Sequence, residues 1–459
     1  MDIVNRYKQA HMVGIGGAGM AALARFLKAQ GMCVTGSDLA SSSTVVELAR
    51  EGFSIGKGHC ATQVGDSDLL IYSAAIPDSN VECLEAEARG IRCASRAEVL
   101  GELSRSRRTI AIAGTHGKTT TSSMVTDILC RAGWDPDFLV GCEIDGRAHA
   151  AVGLGEWFVV EADEFARSFH HLDPEVALVT CVEAEHLDYY GGLREVEEAF
   201  VEFLHRLPPE GTAFVGGDDL VGSGVVGLLS RNYLSFGLGA ECDYRITDLC
   251  QRPEGSYFGL SYKGTHWAEF EIGIPGLHNA RNAAGAASVA HHLGVDKACC
   301  AAAFAEFKSV DRRFEIKGEV NGIRVVDDYA HHPSEVAAAL QAARVSEQRI
   351  IAVFQPHLYT RTRDFKAAFA RELARADHVV LTDVYPAREE PIQGIDGRLI
   401  ATELQQLGYE KVDYIASCSD LVPHVSALCK SGDTVLIMGA GNIGEVSEDL
   451  VEFLSGDLR

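Results

Sequence analysis

No C-x-x-C pair occurs among the thirteen cysteines of this 459-residue chain, and only Cys299 and Cys300 are adjacent. That scatter speaks against a disulfide framework or a zinc site and for free thiols in a reducing, cytoplasmic setting. No stretch reaches the ~18 consecutive apolar residues of a membrane span, and the opening "MDIVNRYKQAHMVGIGG" has no apolar signal core. Positive charge is scarce as well: 41 basic residues face 65 acidic ones, a formal net charge of −24. Such a surface repels phosphate backbones, which excludes general nucleic-acid binding. A small anionic substrate would need a pocket where basic side chains and backbone N–H groups are concentrated. Low-complexity segments and short repeats are also absent, and 47% hydrophobic with 23% charged residues is an ordinary globular balance.

At ~150 residues per domain the length suggests about three domains. From 11 to about 105, the strand-like runs "HMVGI", "CVTGSD" and "DLLIYSAAI" alternate with helical patterns, among them "MAALARFLKAQG" with Gly31 as its cap. The charged "ELSRSRRT" (Glu102 to Thr109) reads as a linker. A second alternating unit carries "TIAIAG" (109–114), "WFVVEAD" (157–163) and "VALVTCVEAEH" (176–186). Residues 211 to 275 change character and suggest an antiparallel insert. A third unit starts near Ser309, with "GIRVVDDYAHHP", "RIIAVFQPH", "ADHVVLTDVY" and "DTVLIMGAGNIG" as strands leading into helices. The expected fold is three α/β units in series, each built on a mostly parallel sheet.

Two glycine-rich loops follow strands and open helices. Gly14, Gly16 and Gly19 satisfy G-x-G-x-x-G, with Gly17 between them, and Asp38 ends the next strand where a ribose-binding acid would stand. A nicotinamide dehydrogenase is the default reading of this loop, and a glycine turn that binds nothing is its alternative. The loop has no lysine, hydroxyl or acidic metal ligand. It can hold a diphosphate but is not equipped to break one.

The second loop, "GTHGKTTT", runs from Gly114 through Thr115, His116, Gly117, Lys118, Thr119 and Thr120. Lys118 supplies a mobile cation for the β and γ phosphates of a nucleotide, and Thr119 a hydroxyl for Mg2+. The common Walker spacing fails, because Ile112 stands where its first glycine belongs. Glu161 and His186, following apolar strand runs, are candidate metal ligands. Glu164, Glu183 and Asp188 read as exposed carboxylates capping the next helices. This is the loop that does chemistry.

Taken together, "GIGGAGM", "GTHGKTTT", "EADE", "GLHNARNAAGA", "RRFE", "DDYAHHPSE", "FQPHLYTRT" and "GAGNIG" resemble the Mur ligases, which build the peptide stem of bacterial cell-wall precursors, over nearly the whole chain. The resemblance implies a Rossmann-like UDP-substrate domain (1–107), a central P-loop ATPase-type domain with an antiparallel insert (108–310), and a Rossmann-like amino-acid domain (311–459). It implies ATP and Mg2+, with UDP-N-acetylmuramate and L-alanine as substrates and an amide as product. No nucleic acid or membrane partner is expected, and the protein is a monomer or homodimer.

By motif, Gly14, Gly16, Gly17, Gly19, Asp38 and Ser73 would bind the UDP-substrate. Gly114 to Thr120, Asn279, Asn282 and Arg313 would bind ATP, and Thr119, Glu161 and His186 the metal. An Asn at a helix start is also a common cap, the alternative for Asn279 and Asn282. Lys118, Arg313, Asp328 and His331 would carry catalysis, while Tyr329, His331, His332 and Arg361 face the incoming amino acid. A surface ion pair is the alternative for Arg312, Arg313 and Asp328, and a solvated helix start for Arg363.

Three departures bear on the reading. Leu358 stands where an Arg is usual, and "EADEFARS" lacks a second acidic residue found after "EADE" in relatives. No Lys occurs from Leu187 to Val225, which fits the alanine-adding branch rather than sister ligases that use a carbamylated lysine there. The rival readings are a recycling ligase that attaches a murein tripeptide to the same acceptor, an NAD-dependent oxidoreductase, and a non-enzymatic nucleotide-regulated binder.

Overall fold

The computed structural model describes residues 3–141, 150–186, 189–218, 225, 229, 233–308, 310–387 and 389–456. Asp188 and Ser309 fall outside them. The chain divides into two compact units, one of Met1–Thr247, Gly259–Ala268 and Arg281–Phe304, the other of Asp248–Phe258, Glu269–Ala280 and Ala305–Arg459.

The first unit opens with a five-stranded sheet of β1 (Gln9–Val13), β2 (Cys33–Asp38), β3 (Ser54–Lys57), β4 (Leu69–Tyr72) and β5 (Arg92–Ser95). All four pairings are parallel, in the order β3-β2-β1-β4-β5. The helix Ala18–Ala29 ends as its sequence indicates, with Gly31 at φ 90° just beyond Gln30. The expected linker is a correction: Glu102 to Arg105 are the last turn of a helix, Arg96–Arg105. Its Ser95/Glu98 capping box and its buried Val99, Leu100 and Leu103 outweigh the local charge.

The same unit continues into a ten-stranded sheet. Its parallel centre is β6 (Arg108–Ala113), flanked by β9 (Trp157–Glu161) and β10 (Val176–Val179), with β7 (Asp137–Leu139) and β8 (Ala150–Ala151) beyond β9. Ile110, Ala111, Ile112 and Ala113 are fully buried, as a central strand covered on both faces requires.

β10 stops at Val179 rather than running to 186. The Thr180 hydroxyl turns back onto the carbonyls of Ala113 and His116, ending the ladder. The region 211–275 is also only partly as expected. β11 (Thr212–Gly216) and β12 (Tyr233–Gly237) extend the parallel ladder from β10, and only β13 (Tyr244–Arg252), β14 (Gly255–Tyr262) and β15 (Thr265–Ile272) form a meander with tight turns. The division between the units passes through this meander and through the helix Leu277–His292.

In the second unit, β16 (Glu315–Val320), β17 (Ile323–Asp328), β18 (Arg349–Phe354), β19 (His378–Leu381), β20 (Val412–Tyr414) and β21 (Asp433–Met438) order as β16-β17-β21-β18-β19-β20. Only β16 is antiparallel. Apolar clusters pack on both faces, with Val326, Phe354 and Leu436 on one and Val325, Val353 and Ile437 on the other. Among the described residues no helix is long and apolar enough to cross a membrane, and the cysteines are free.

Candidate active site

The second loop leaves β6 at Ala113 and enters the helix Lys118–Arg131. Gly114 and Gly117 both have positive φ, at 134° and 80°. A Cβ on Gly114 would lie 1.9 Å from the Thr180 hydroxyl, and one on Gly117 2.5 Å from Asn282 Oδ1. Only glycine fits either place. Asn282 is thereby set against the loop. Thr115 is anchored through its N–H to the Cys181 carbonyl (2.9 Å), and its hydroxyl accepts from Glu183 N–H (2.9 Å). No side chain caps the helix, so its first N–H groups remain available to an anion.

Lys118 is held inside this turn. Its Nζ donates to the Gly114 carbonyl (2.5 Å) and lies 2.7 Å from Glu164 Oε2. Glu164 is almost wholly buried, and its other oxygen is 3.7 Å from His186 Nε2. Burial works to lower the Lys118 pKa, but the attraction of Glu164, with Asp163 and Glu161 behind it, more than offsets this and raises it. Burial likewise works against the Glu164 carboxylate, yet Lys118 and His186 bring it down to about 2. The expectation of an exposed, helix-capping Glu164 is therefore overturned: it joins the phosphate-loop lysine to a candidate metal ligand. Sequence reasoning missed it, although its place in "EADE" beside Glu161 was the available signal.

Thr119 and Glu161 converge at Gly141. A Cβ there would lie 3.0 Å from the Thr119 hydroxyl and 3.1 Å from Glu161 Oε1. Glu161 Oε1 accepts from Gly141 N–H (2.6 Å) and the Ser122 hydroxyl (3.2 Å). A hydroxyl and a half-buried carboxylate at this spacing are hard oxygen donors suited to Mg2+. His186, at φ 54°, sits 5.1 Å from the Phe165 ring. Near the loop, His116 Nε2 is 3.4 Å from Glu183 Oε2.

The first loop is built as its glycines require. Gly14 adopts φ 78° with Ser73 beside it, and a Cβ on Gly16 would meet Val45 and Asp38. Asp38 does not hold itself ready for a ribose. Its Oδ2 accepts from Gly16 N–H (2.8 Å) and its Oδ1 from Ala40 N–H (3.0 Å). Oδ2 braces the glycine loop, and Oδ1 closes a local turn at Ala40.

In the second unit, Asp328 ends β17 and is buried. Its Oδ2 accepts from Phe314 N–H (2.8 Å) and its Oδ1 from Ala330 N–H (2.7 Å). Burial raises its pKa to about 7 against the pull of Arg313. It is not part of a surface ion pair. Glu335, near the start of the helix Pro333–Arg344, gathers the neighbouring candidates: its Oε2 accepts from His331 N–H (2.9 Å) and lies 3.3 Å from His331 Nδ1, while Arg313 Nη1 is 3.6 Å from Oε1. Tyr329 lies edge-on to His331 and under the Arg313 guanidinium.

His332 Nδ1 is 2.7 Å from the Ser334 hydroxyl, and Arg361 reaches His357 (3.2 Å). Arg363 pairs with its neighbour Asp364 (2.7 Å) on an exposed helix turn. Asn279, the third residue of the helix Leu277–His292, donates its amide to the Pro275 carbonyl (2.7 Å) and so does not act as an N-cap acceptor there. Leu358 occupies φ 67° ahead of the helix Tyr359–Leu373.

The glycine-rich turn "GAGNIG" is filled from within. Arg312 donates to the carbonyls of Gly439 (2.6 Å) and Gly441 (3.1 Å) and pairs with Asp327 (3.0 Å).

Family models match along the whole chain: "Mur ligase family, catalytic domain" at residues 9–108, "Mur ligase middle domain" at 112–290 and "Mur ligase, glutamate ligase domain" at 312–441. The UDP-N-acetylmuramate–L-alanine ligase of Salinibacter ruber is 41% identical over 99% of this chain and 96% of its own length. The chain belongs to the Mur ligase family. Among solved structures, this Mur ligase is similar to the UDP-N-acetylmuramate–alanine ligase of Thermotoga maritima, at 28% identity and a TM-score of 0.84, covering 98% of this chain and 100% of that one. It is also similar to a murein peptide ligase from Psychrobacter arcticus, at 25% identity and a TM-score of 0.72, over 98% and 100% of the two chains.

Proposed function

We propose that the protein is an ATP-dependent ligase that joins L-alanine to the carboxylate of UDP-N-acetylmuramate in peptidoglycan precursor synthesis. One observation carries the reading above the rest: a phosphate-type loop with Lys118 folded into it, in a chain alike over nearly its full length to a ligase of that name. The three segments 1–107, 108–310 and 311–459 take the UDP-substrate, ATP and the amino acid respectively. The reaction belongs in the cytoplasm, and the protein works as a monomer or homodimer.

The acceptor's carboxylate attacks the γ-phosphorus of ATP, giving an acyl phosphate and ADP. The alanine amine then attacks the acyl carbon, and the tetrahedral intermediate expels phosphate to leave the amide. Lys118 holds the β and γ phosphates and stabilises charge on them in the transition state. Thr119 and Glu161 offer the oxygens that Mg2+ prefers and, with His186 beside them, would hold the ion, which would neutralise phosphate charge. Asn282, set against Gly117, borders the nucleotide. Arg313 offers a further cation, and His331, oriented by Glu335, faces the developing charge. Arg361 takes a carboxylate of the incoming amino acid through paired donors, a role its guanidinium suits.

The test is phosphate release with Mg2+ and ATP, with UDP-N-acetylmuramate, and with or without L-alanine. Release that needs both substrates supports the reading. Release triggered by L-Ala-γ-D-Glu-meso-diaminopimelate in place of alanine would instead assign the tripeptide-recycling activity.

A further inference from the structure

The guanidinium of Arg96 lies against Gly19. A Cβ on that glycine would be 2.7 Å from Nη1, 3.0 Å from Cζ and 3.3 Å from Nε, so the group lies across the missing side chain. Gly19 is the second residue of the helix Ala18–Ala29, whose N-terminus has no side-chain cap. Arg96 is itself the first residue of the helix Arg96–Arg105. Two helix starts and a guanidinium therefore meet, an arrangement that is electrostatically unfavourable for a cation unless an anion joins it.

The second helix does not need Arg96 for closure, because Ser95 and Glu98 already satisfy its first turn. Arg96 pairs with Asp163, whose Oδ2 is 3.6 Å from Nη2. That pair is loose and partly exposed, and Asp163 spends its other oxygen on Phe165 N–H (3.0 Å). Asp163 stands between Glu161, which meets Thr119, and Glu164, which holds Lys118.

We propose that Arg96 is a binding residue for the diphosphate of the UDP-substrate, and that it exchanges Asp163 for a phosphate oxygen when that substrate binds. The exchange links occupancy of the first loop to the segment that carries the donors of the second. A phosphate group offers Arg96 two oxygens for a bidentate pair, against the long single contact to Asp163. Asp163, released, adds an unpaired carboxylate beside Glu161 and Glu164. The inference rests on the reading of the first loop as the UDP site.

Calorimetric titration with UDP tests it, using the full chain and the variants Arg96→Gln, Arg96→Lys and Asp163→Asn. Arg96→Gln is expected to weaken UDP by roughly 10- to 100-fold, the worth of a charge-assisted contact, and Arg96→Lys by less. Removal of a cation from a helix start should not lower the melting midpoint. Asp163→Asn is expected to tighten UDP, and the gain should vanish in the Arg96→Gln background, which a merely structural arginine would not produce.

If UDP affinity in Arg96→Gln stays within about twofold of the parent, the inference fails while the proposed function stands. If the parent protein binds neither UDP nor UDP-N-acetylmuramate, the proposed function fails and takes the inference with it.

Discussion

Lys118 and Glu164 meet at the root of the second loop, Nζ 2.7 Å from Oε2, with the carboxylate nearly inaccessible to water and His186 on its far oxygen. A lysine drawn back onto its own loop's carbonyl and a buried acid has to be released before it can serve phosphate. The pair stores the cation in a defined place and keeps it charged. Replacing Glu164 by Ala leaves a buried ammonium without its partner and should cost about 3 kcal/mol of stability. The double variant Lys118→Met with Glu164→Gln should recover much of that loss while remaining inactive. Melting midpoints of the three proteins check this, and an unshifted midpoint for Glu164→Ala would contradict the pairing.

Gly117 combines φ 80° with a Cβ position 2.5 Å from Asn282 Oδ1. Gly117→Ala should therefore destabilise the loop by roughly 1–2 kcal/mol from the backbone alone and raise the KM for ATP. The companion variant Asn282→Ala removes the steric conflict, so the double variant should be more stable than additivity predicts. A steady-state ATP titration and a melting series decide it.

Thr119 and Glu161 share one small space at Gly141. Glu161→Gln keeps the hydrogen bonds from Gly141 and Ser122 possible but removes the charge. Its activity should need several-fold more Mg2+ for half-saturation, with the UDP-substrate KM little changed. A Mg2+ titration at saturating ATP reads this directly, and an unaltered Mg2+ curve would remove Glu161 from the donor set.

Asp328 carries a pH signature. Its folded-state pKa, about 7, lies above its ordinary value of 3.8, so the folded chain binds the proton more tightly than the unfolded one. Its contribution to stability is therefore full below about pH 4 and is lost as pH rises towards 7, at about 1.4 kcal/mol per pH unit. Asp328→Asn should flatten this part of the stability profile. Urea unfolding between pH 4.5 and 7.5, parent against variant, measures the difference in slope.

Glu335 holds His331 and approaches Arg313. Glu335→Gln should lower kcat by about tenfold or more through misplacement of those groups, with the KM for the UDP-substrate nearly constant. Glu335→Asp should restore part of the rate. A fall in KM alone, with kcat intact, would count against the positioning role.

Both glycine loops were legible because their requirements are local: positive φ at Gly14, Gly114 and Gly117, and a lysine and hydroxyl at fixed offsets. Long-range pairing was less legible. Glu164 looked like a helix cap until Lys118 and His186 arrived from other segments to bury and neutralise it. β10 looked longer because the apolar run continues past Val179, whereas the Thr180 hydroxyl, bound to the last carbonyl of β6 and to the His116 carbonyl in the loop after it, ends it. The parallel pairing of Thr212 with Val176 leaves no trace in alternation, so β11 and β12 were read as antiparallel. Arg96 belongs to no glycine motif, and only the fold brings it to Gly19.

The turn at 439–444 gives the glycine signature a different polarity. Loops that receive phosphate turn their amides inward, whereas this one turns the carbonyls of Gly439 and Gly441 towards Arg312, a guanidinium supplied by the same chain. The turn is a cation socket that Arg312 fills. A nucleotide offered to it would meet the wrong sign of backbone dipole and a tenant already satisfied by Asp327. Two stretches of this sequence, Gly14–Gly19 and Gly439–Gly444, spell G-x-G-x-x-G, and the groups that each turns inward decide which of them can accept an anion.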